Sequence, residues 1–166
     1  MTVYVIMGVS GAGKTTVGTE VSQRLRLPFF EGDNFHPQAN IDKMSSGIPL
    51  TDTDRIPWID ALAEGVNHRA EPDRDAIVAC SALSRFVRQR IRERMNDEVD
   101  FILLTADPCL IQERLSKRPK HYMKAGMLNS QLAALQMPST ALTVDVSRPL
   151  EQVVQEVIDH IERKRS

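Results

Sequence analysis

The sequence predicts an α/β fold of three layers, with a mostly parallel β-sheet between two layers of helices. Short apolar or β-branched runs alternate with longer helical patterns along the whole chain. The first run is apolar throughout, which is typical of a strand buried on both faces of a parallel sheet. No internal repeat or low-complexity segment interrupts the 166 residues, so we expect one domain over residues 1–166.

The elements of the first half follow in order. A strand at 3–7 leads through a glycine-rich turn to a helix whose apolar residues recur at four-residue spacing on one face. A short strand is predicted at 28–31. The next helical pattern runs over 54–70, where Pro57 would be tolerated only in the first turn.

The second half continues the alternation. Asp107 and Pro108 are typical of a helix start, with Asp as N-cap and Pro as the first helical residue. A last helix begins after Pro149, with an apolar stripe that starts at Leu150. Residues 119–140 fit least well, and either a mobile cover over a site or a surface loop with a short helix explains them. The remaining strands are predicted at 76–80, 101–104 and 142–146, and the remaining helix at 85–95.

Composition indicates a globular protein in a reducing compartment. The net charge of −1 excludes a bulk field that would recruit nucleic acid or an anionic membrane surface. The opening MTVYVIMG lacks the pattern of a secretory leader, and no apolar run approaches the ~20 residues of a membrane span. Cys80 and Cys109 have apolar sequence neighbours, so we expect both to be buried, reduced thiols. We therefore expect a cytoplasmic protein.

A phosphate-binding loop follows the first strand. The motif G-x-x-x-x-G-K-[ST] is complete and lies between a predicted strand and a predicted helix. Its backbone N–H groups and the helix N-terminus favour phosphate oxygens. Lys14 is expected to bridge the β- and γ-phosphates of a nucleotide, and the Thr15 hydroxyl to bind Mg²⁺. The nucleotide-binding residues are predicted to be Gly8, Val9, Ser10, Gly11, Ala12, Gly13, Lys14, Thr15 and Thr16.

The kind of P-loop protein is narrowed by what the sequence lacks. It has no N-K-x-D tetrapeptide for guanine, and no ABC-type signature. The strand AIVAC ends in Cys80-Ser81 instead of the acidic residue that commonly lies at the Mg²⁺ site. These absences favour a small-molecule kinase, in which the acceptor side of the site supplies further carboxylates.

Asp33 is the candidate on the acceptor side. It follows the second strand, and ligand-binding residues of open α/β sheets lie at the carboxyl ends of strands. A carboxylate there can orient an acceptor hydroxyl and accept its proton, while the alternative is that Asp33 caps the next helix. His36 is a candidate to hydrogen-bond a polyol, or it is an ordinary packed histidine.

Three further residues are candidates for the same site. Arg55 either clamps a substrate carboxylate or forms an ion pair with Asp52 or Asp54. Ser81 and Arg85 follow the third strand and would contribute a hydroxyl and a cation at the same rim. Trp58 is expected to be a core anchor.

Together these residues resemble the gluconokinases of the shikimate-kinase-like group. The resemblance runs through nearly the whole chain, and its most distinctive part lies between the second strand and Trp58. It is carried by GVSGAGKTTVG, EGDNFHPQANIDKMSSGIPLTDTDRIPW, ACSALSR, RLSKRPKHYM and MLNSQLAALQMP.

The resemblance implies an activity and an architecture. The enzyme would transfer the γ-phosphoryl group of ATP, with Mg²⁺, to the terminal hydroxyl of D-gluconate to give 6-phosphogluconate. The fold would be a five-stranded parallel sheet of order 2-3-1-4-5 with a mobile lid at about 118–138 and an acceptor-binding region at about 33–70. Relatives of this type suggest a homodimer.

The resemblance also carries roles to matching positions. Asp33 would orient the acceptor hydroxyl, and His36, Arg55, Ser81 and Arg85 would line the sugar-acid site. Arg114 would lie along the adenine, Arg118 would meet the transferring phosphoryl group, and Pro149 would close the adenine pocket. His121 and Gln131 would lie on or beside the lid, on the substrate side.

Several positions depart from the family pattern. Ser84 stands where a lysine is usual, Lys120 where a glycine is usual, and Lys124 near a usual proline. The segment after Pro138 lacks an expected acidic pair. The alternatives to a gluconokinase activity are a kinase of another small acid such as shikimate, and a regulatory protein that binds ATP without turnover.

Overall fold

A parallel β-sheet forms the centre of the protein. The computed structural model describes residues 1–117 and 127–166. In these residues the sheet has five strands in the order β2-β3-β1-β4-β5, and every pairing is parallel, which confirms the predicted fold. The strands are β1 Thr2–Met7, β2 Phe29–Glu31, β3 Ala76–Ala79, β4 Glu98–Thr105 and β5 Leu142–Asp145.

Helices cover both faces of the sheet. Two elements for which the sequence predicted no bounds, the 3-10 helix Gly32–Phe35 and the helix Gln38–Ser45, occupy the polar stretch after β2. In the described ranges the helices are α1 Lys14–Leu25, α2 Gln38–Ser45, α3 Asp52–Asn67, α4 Arg85–Arg94, α5 Pro108–Ser116, α6 Met127–Ala134 and α7 Leu150–Arg165. No helix among them is long and apolar enough to cross a membrane.

The strands divide their side chains between two cores. Val5 of β1 faces one core, which α3 and α4 cover, whereas its neighbour Ile6 faces the other, which α1 and α7 cover. Both residues are fully buried. Because successive residues of a strand point to opposite faces, a strand buried on both faces must be apolar throughout, as the first strand is.

The helix α3 begins earlier than the sequence predicted. Thr51 is its N-cap, and a capping box joins the Thr51 hydroxyl to the N–H of Asp54 and the Asp54 carboxylate to the N–H of Thr51. Pro57 therefore lies in the second turn instead of the first, so the expectation about its position was wrong. The strand β4 likewise begins at Glu98, three residues before the predicted start.

Two expectations about burial were also wrong. Cys80 is buried, but Cys109 is exposed near the start of α5. Leu150 is 45% exposed, so the buried stripe of α7 begins at Val153. Apolar neighbours in sequence do not show which side of a helix start faces the core.

Candidate active site

The phosphate-binding loop connects β1 to α1 at the carboxyl edge of the sheet. Gly8 has φ 146°, and a Cβ there would lie 2.7 Å from the carbonyl oxygen of Leu104, so this position requires glycine. Gly13 is the N-cap of α1 with φ 93°. The Lys14 ammonium donates to the carbonyl oxygen of Val9 at 3.1 Å, which holds the lysine over the loop. The loop thus has the geometry of an anion cradle at a helix N-terminus.

Thr15 contacts a carboxylate that sequence reasoning missed. Its hydroxyl donates to Glu31, the last residue of β2, and the same carboxylate accepts from the N–H of Asp33 at 3.3 Å. No acidic residue ends β3, and the carboxylate beside Thr15 lies instead at the end of the edge strand β2. A hydroxyl and a carboxylate are both oxygen ligands of the kind that Mg²⁺ prefers, so this pair fits that ion.

One cavity collects most of the predicted catalytic and acceptor residues. Its volume is about 140 Å³, and it lies between the phosphate-binding loop, the 3-10 helix, α3 and α6. The Asp33 side chain is exposed to it and makes no hydrogen bond within the described residues, so the expected alternative of a helix cap does not apply. The predicted residues that line this cavity, which we call the acceptor cavity, are Ser10, Lys14, Asp33, His36, Arg55, Ser81 and Gln131.

His36 stacks on Trp58 in the wall of the acceptor cavity. The ring centroids are 4.1 Å apart and the planes differ by 15°. Burial lowers the pKa of His36 to about 4, with the Asp33 carboxylate acting in the opposite direction and Arg55 in the same one. The imidazole is therefore neutral near pH 7 and acts there through hydrogen bonds, not through charge.

Asn40 determines which nitrogen of His36 carries the proton. The buried Asn40 amide nitrogen donates to the carbonyl oxygen of Asp54 at 2.9 Å, which fixes the orientation of the amide. The same nitrogen lies 3.3 Å from Nδ1 of His36. Because that nitrogen can only donate, Nδ1 accepts and the proton of the neutral ring is on Nε2.

Arg55 forms one of the ion pairs that the sequence left open, while its role toward a substrate carboxylate stays a prediction. It lines the acceptor cavity and also forms an ion pair with Asp52 at 3.4 Å. Asp54 is engaged elsewhere, with the Lys43 ammonium at 2.9 Å. The N–H of Thr51 and then the Lys43 ammonium lower the pKa of Asp54 to about 2. Lys43 thus holds α2 against α3.

Trp58 joins the core to this wall. As expected of a core anchor it is only 2% exposed, and its indole N–H donates to the carbonyl oxygen of Gly32 at 2.8 Å. A Cβ at Gly32 would lie 2.5 Å from the carbonyl oxygen of Ala79. The turn that presents Asp33 is therefore packed between α3 and the end of β3.

Gln131 reaches the phosphate-binding loop from α6. Its side-chain oxygen accepts from the N–H of Ser10 at 2.6 Å. Gln131 is 8% exposed, so this contact lies away from solvent. This hydrogen bond joins α6 to the phosphate-binding loop.

Only part of the predicted nucleotide set lines a second cavity, of about 350 Å³, and Pro149 is not in that lining. Arg114 of α5 lines it and donates to the carbonyl oxygen of Val146 at 2.7 Å. Leu150, exposed at the start of α7, adds apolar surface, and Pro149 is the N-cap of that helix. Gly11, Gly13 and Thr16 complete the side nearest the loop.

Arg85 differs from the other predicted acceptor residues. The chain turns at Ala82, which has φ 46°, and Ser84 then caps α4 by accepting from the N–H of Val87 at 3.2 Å. Arg85 consequently lines a separate cavity beside α4 instead of the acceptor cavity. The same cap accounts for a serine at position 84. Arg118, Lys120, His121 and Lys124 lie outside the described residues.

Comparisons with known proteins agree on one family. The family model for shikimate kinase matches residues 10–162. The thermoresistant gluconokinase of Escherichia coli (strain K12) is 41% identical over 165 residues, which cover 97% of this chain and 94% of that protein. The crystal structure of a gluconokinase from Sinorhizobium meliloti 1021 has a TM-score of 0.84 and 39% identity, over 96% of this chain and 91% of that one. An unliganded sugar kinase from Janibacter sp. HTCC2649 has a TM-score of 0.89 and 41% identity, over 98% and 95%.

Proposed function

Because the chain belongs to the gluconokinase family, within the shikimate-kinase-like group, we propose that it phosphorylates D-gluconate with ATP. The γ-phosphoryl group is transferred to the terminal hydroxyl, and the products are 6-phosphogluconate and ADP. The observation that carries this proposal is the shared lining of the acceptor cavity, where Lys14 of the phosphate-binding loop faces Asp33, His36 and Arg55.

Asp33 is the residue that orients the acceptor hydroxyl and accepts its proton. Its carboxylate is exposed to the acceptor cavity and is not occupied by another group of the described residues. Lys14 and the N–H groups of the loop stabilise negative charge on the phosphoryl oxygens during transfer. Arg118 would act on the same charge, as the resemblance implies.

The sugar acid is bound by residues that line the same cavity as Asp33. Arg55 binds the carboxylate, since a guanidinium matches a carboxylate with two parallel hydrogen bonds. His36 donates from Nε2 to a hydroxyl of the sugar acid, and Ser81 and Gln131 provide further polar contacts. A neutral histidine suits the uncharged hydroxyls of a polyol better than an imidazolium would, because the neutral ring needs no counter-ion in the site.

The metal and the nucleotide would be held by a further set of residues. Mg²⁺ would be held through Thr15, with Glu31 beside it, and would neutralise negative charge on the phosphates. The adenine is placed in the cavity beside Arg114, close to Pro149. The lid at about 118–138 and the acceptor region at about 33–70 remain part of this proposal, and so do a homodimer and a cytoplasmic location, which the family resemblance supports.

A coupled assay for ADP release tests the reaction. Gluconate should support turnover far above the rate with shikimate or without an acceptor, and mass spectrometry should find one phosphoryl group on the sugar acid. Turnover with shikimate alone would favour the alternative kinase, and ATP binding without acceptor-dependent turnover would favour a regulatory protein. Sedimentation equilibrium of the same sample tests the homodimer.

A further inference from the structure

A groove rich in arginine lies beside α4, apart from the acceptor cavity. Arg85, Arg88 and Arg92 are three and four residues apart, so they share one face of the helix. They face residues 137–141, which lead into β5, and we call this space the arginine groove. Its volume is about 370 Å³, and it shares no lining residue with the acceptor cavity.

The arginines on the opposite face of the same helix share a carboxylate partner, whereas those on this face have none among the described residues. Arg90 and Arg94 both pair with Asp60 of α3, at 2.8 and 3.2 Å. Among residues 1–117 and 127–166, no carboxylate lies within ion-pair distance of Arg85, Arg88 or Arg92. Asp100 also lines the groove, but its carboxylate is bonded to His160 of α7 at 2.7 Å.

The three like charges are held close together by the fold. Arg88 is 4% exposed and donates to the carbonyl oxygens of Ala82, Leu83 and Gln136, at 2.8, 2.9 and 2.5 Å. Burial and then the charges of Arg92 and Arg85 lower its pKa. Arg92 is fixed over the Phe101 ring, with 4.6 Å between the guanidinium carbon and the ring centroid. This arrangement concentrates positive charge, and a bound anion would reduce the repulsion between the three guanidinium groups.

We propose that the arginine groove binds the phosphate ester of a small metabolite. Arg85 and Arg92 offer guanidinium groups to the phosphate, because that geometry matches phosphate oxygens bidentately. Ser139 and Thr140 add hydroxyls, and Met137, 57% exposed, adds apolar surface for the rest of the ligand. A volume of 370 Å³ equals roughly twelve waters at ~30 Å³ each, which is more than a free phosphate ion needs.

Gln136 couples the groove to the acceptor cavity. Its N–H donates to the carbonyl oxygen of Leu83, which lines the acceptor cavity, and its side-chain oxygen accepts from the N–H of Arg85, both at 2.8 Å. Gln136 follows α6, the helix that carries Gln131 to the phosphate-binding loop. An anion held between α4 and residues 137–141 therefore also holds the end of α6 in place through Gln136. Its binding lowers the KM for the acceptor of the proposed reaction.

Binding is tested by titration calorimetry with the P-loop filled by saturating AMPPNP, at constant ionic strength. The probes are glucose 6-phosphate and inorganic phosphate. Glucose 6-phosphate should bind saturably to the wild type and to the control Arg94→Gln, and at least ~5-fold more weakly to Arg92→Gln. The control removes the same charge from the opposite face of α4. Equal Kd values for both variants, or no saturable binding, would overturn the site.

The two probes separate the ligand sources, and kinetics test the coupling. Glucose 6-phosphate should bind more tightly than inorganic phosphate, and equal affinity would contradict the ester and leave free phosphate as the ligand. In steady-state assays, glucose 6-phosphate should lower the gluconate KM of the wild type and not that of Arg92→Gln. Binding without any change in KM would contradict the coupling. Since the calorimetry needs no turnover, failure of the proposed function would not be mistaken for failure of the groove.

Discussion

Acidification should destabilise this protein through His36. Its pKa falls from the ordinary 6.5 to about 4 in the folded chain because the ring is partly buried against Trp58. A folded pKa below the unfolded one means that the unfolded state binds the proton more readily. The stability contributed by the neutral ring is therefore complete above pH 6.5, and it is lost as the pH falls from 6.5 to about 4.

The two pKa values set the size of the effect. At pH 5 they correspond to about 2 kcal/mol of lost unfolding free energy. The ring is partly exposed to solvent, which reduces the effect, so we expect about 1–2 kcal/mol. Replacing His36 with Gln removes the titration and retains a hydrogen-bonding side chain.

Urea unfolding followed by circular dichroism at pH 7.5 and 5.0 measures the effect. The wild type should lose about 1–2 kcal/mol more than His36→Gln between the two pH values. His68→Gln is the matched control, since it removes an exposed histidine at the end of α3, and it should follow the wild type. The reasoning is refuted if wild type and His36→Gln lose the same free energy.

Four further predictions concern the acceptor cavity and the residues that adjoin Asp33. Asp33→Asn should lower kcat at least ~10²-fold with the KM for ATP unchanged, and a fully active variant would remove Asp33 from the mechanism. Glu31→Gln should raise the Mg²⁺ concentration needed for half-maximal rate, and an unchanged titration would contradict a role beside the metal. Arg55→Gln should raise the KM for gluconate in steady-state kinetics, whereas equal use of an uncharged polyol by the wild type would contradict the carboxylate clamp. Gly32→Ala should lower the unfolding free energy by about 1–3 kcal/mol in urea, because its Cβ would meet the carbonyl oxygen of Ala79, and an unshifted midpoint would contradict that close packing.

The features that sequence predicted well depend on local pattern. The phosphate-binding loop follows from a short motif between an apolar strand and a helix, and the position of Asp33 follows from where β2 ends. The apolar strands predicted a sheet buried on both faces, and the family resemblance predicted its order. Apart from the strand order, these features need only a few consecutive residues, so they can be predicted without knowing how the chain packs.

The features that were missed depend on side-chain direction and on contacts between distant residues. Arg85 follows a strand end, but the left-handed Ala82 and the Ser84 cap turn it onto the face of the arginine groove. Glu31 meets Thr15 across sixteen residues of sequence, a contact that no short motif records. Similarly, the tautomer of His36 depends on a bond from Asn40 to a carbonyl of α3.

The position of Trp58 gives the protein an optical probe of its own. The chain contains one tryptophan, so its intrinsic indole emission comes from a ring that is covered by His36 and bonded to Gly32. The cavity beside Arg114 has no tryptophan, and Trp58 packs in one core whereas Val17 and Val153, which line that cavity, pack in the other. Fluorescence therefore reports on the acceptor side of the molecule separately from the nucleotide side, without a label and in the unmodified protein.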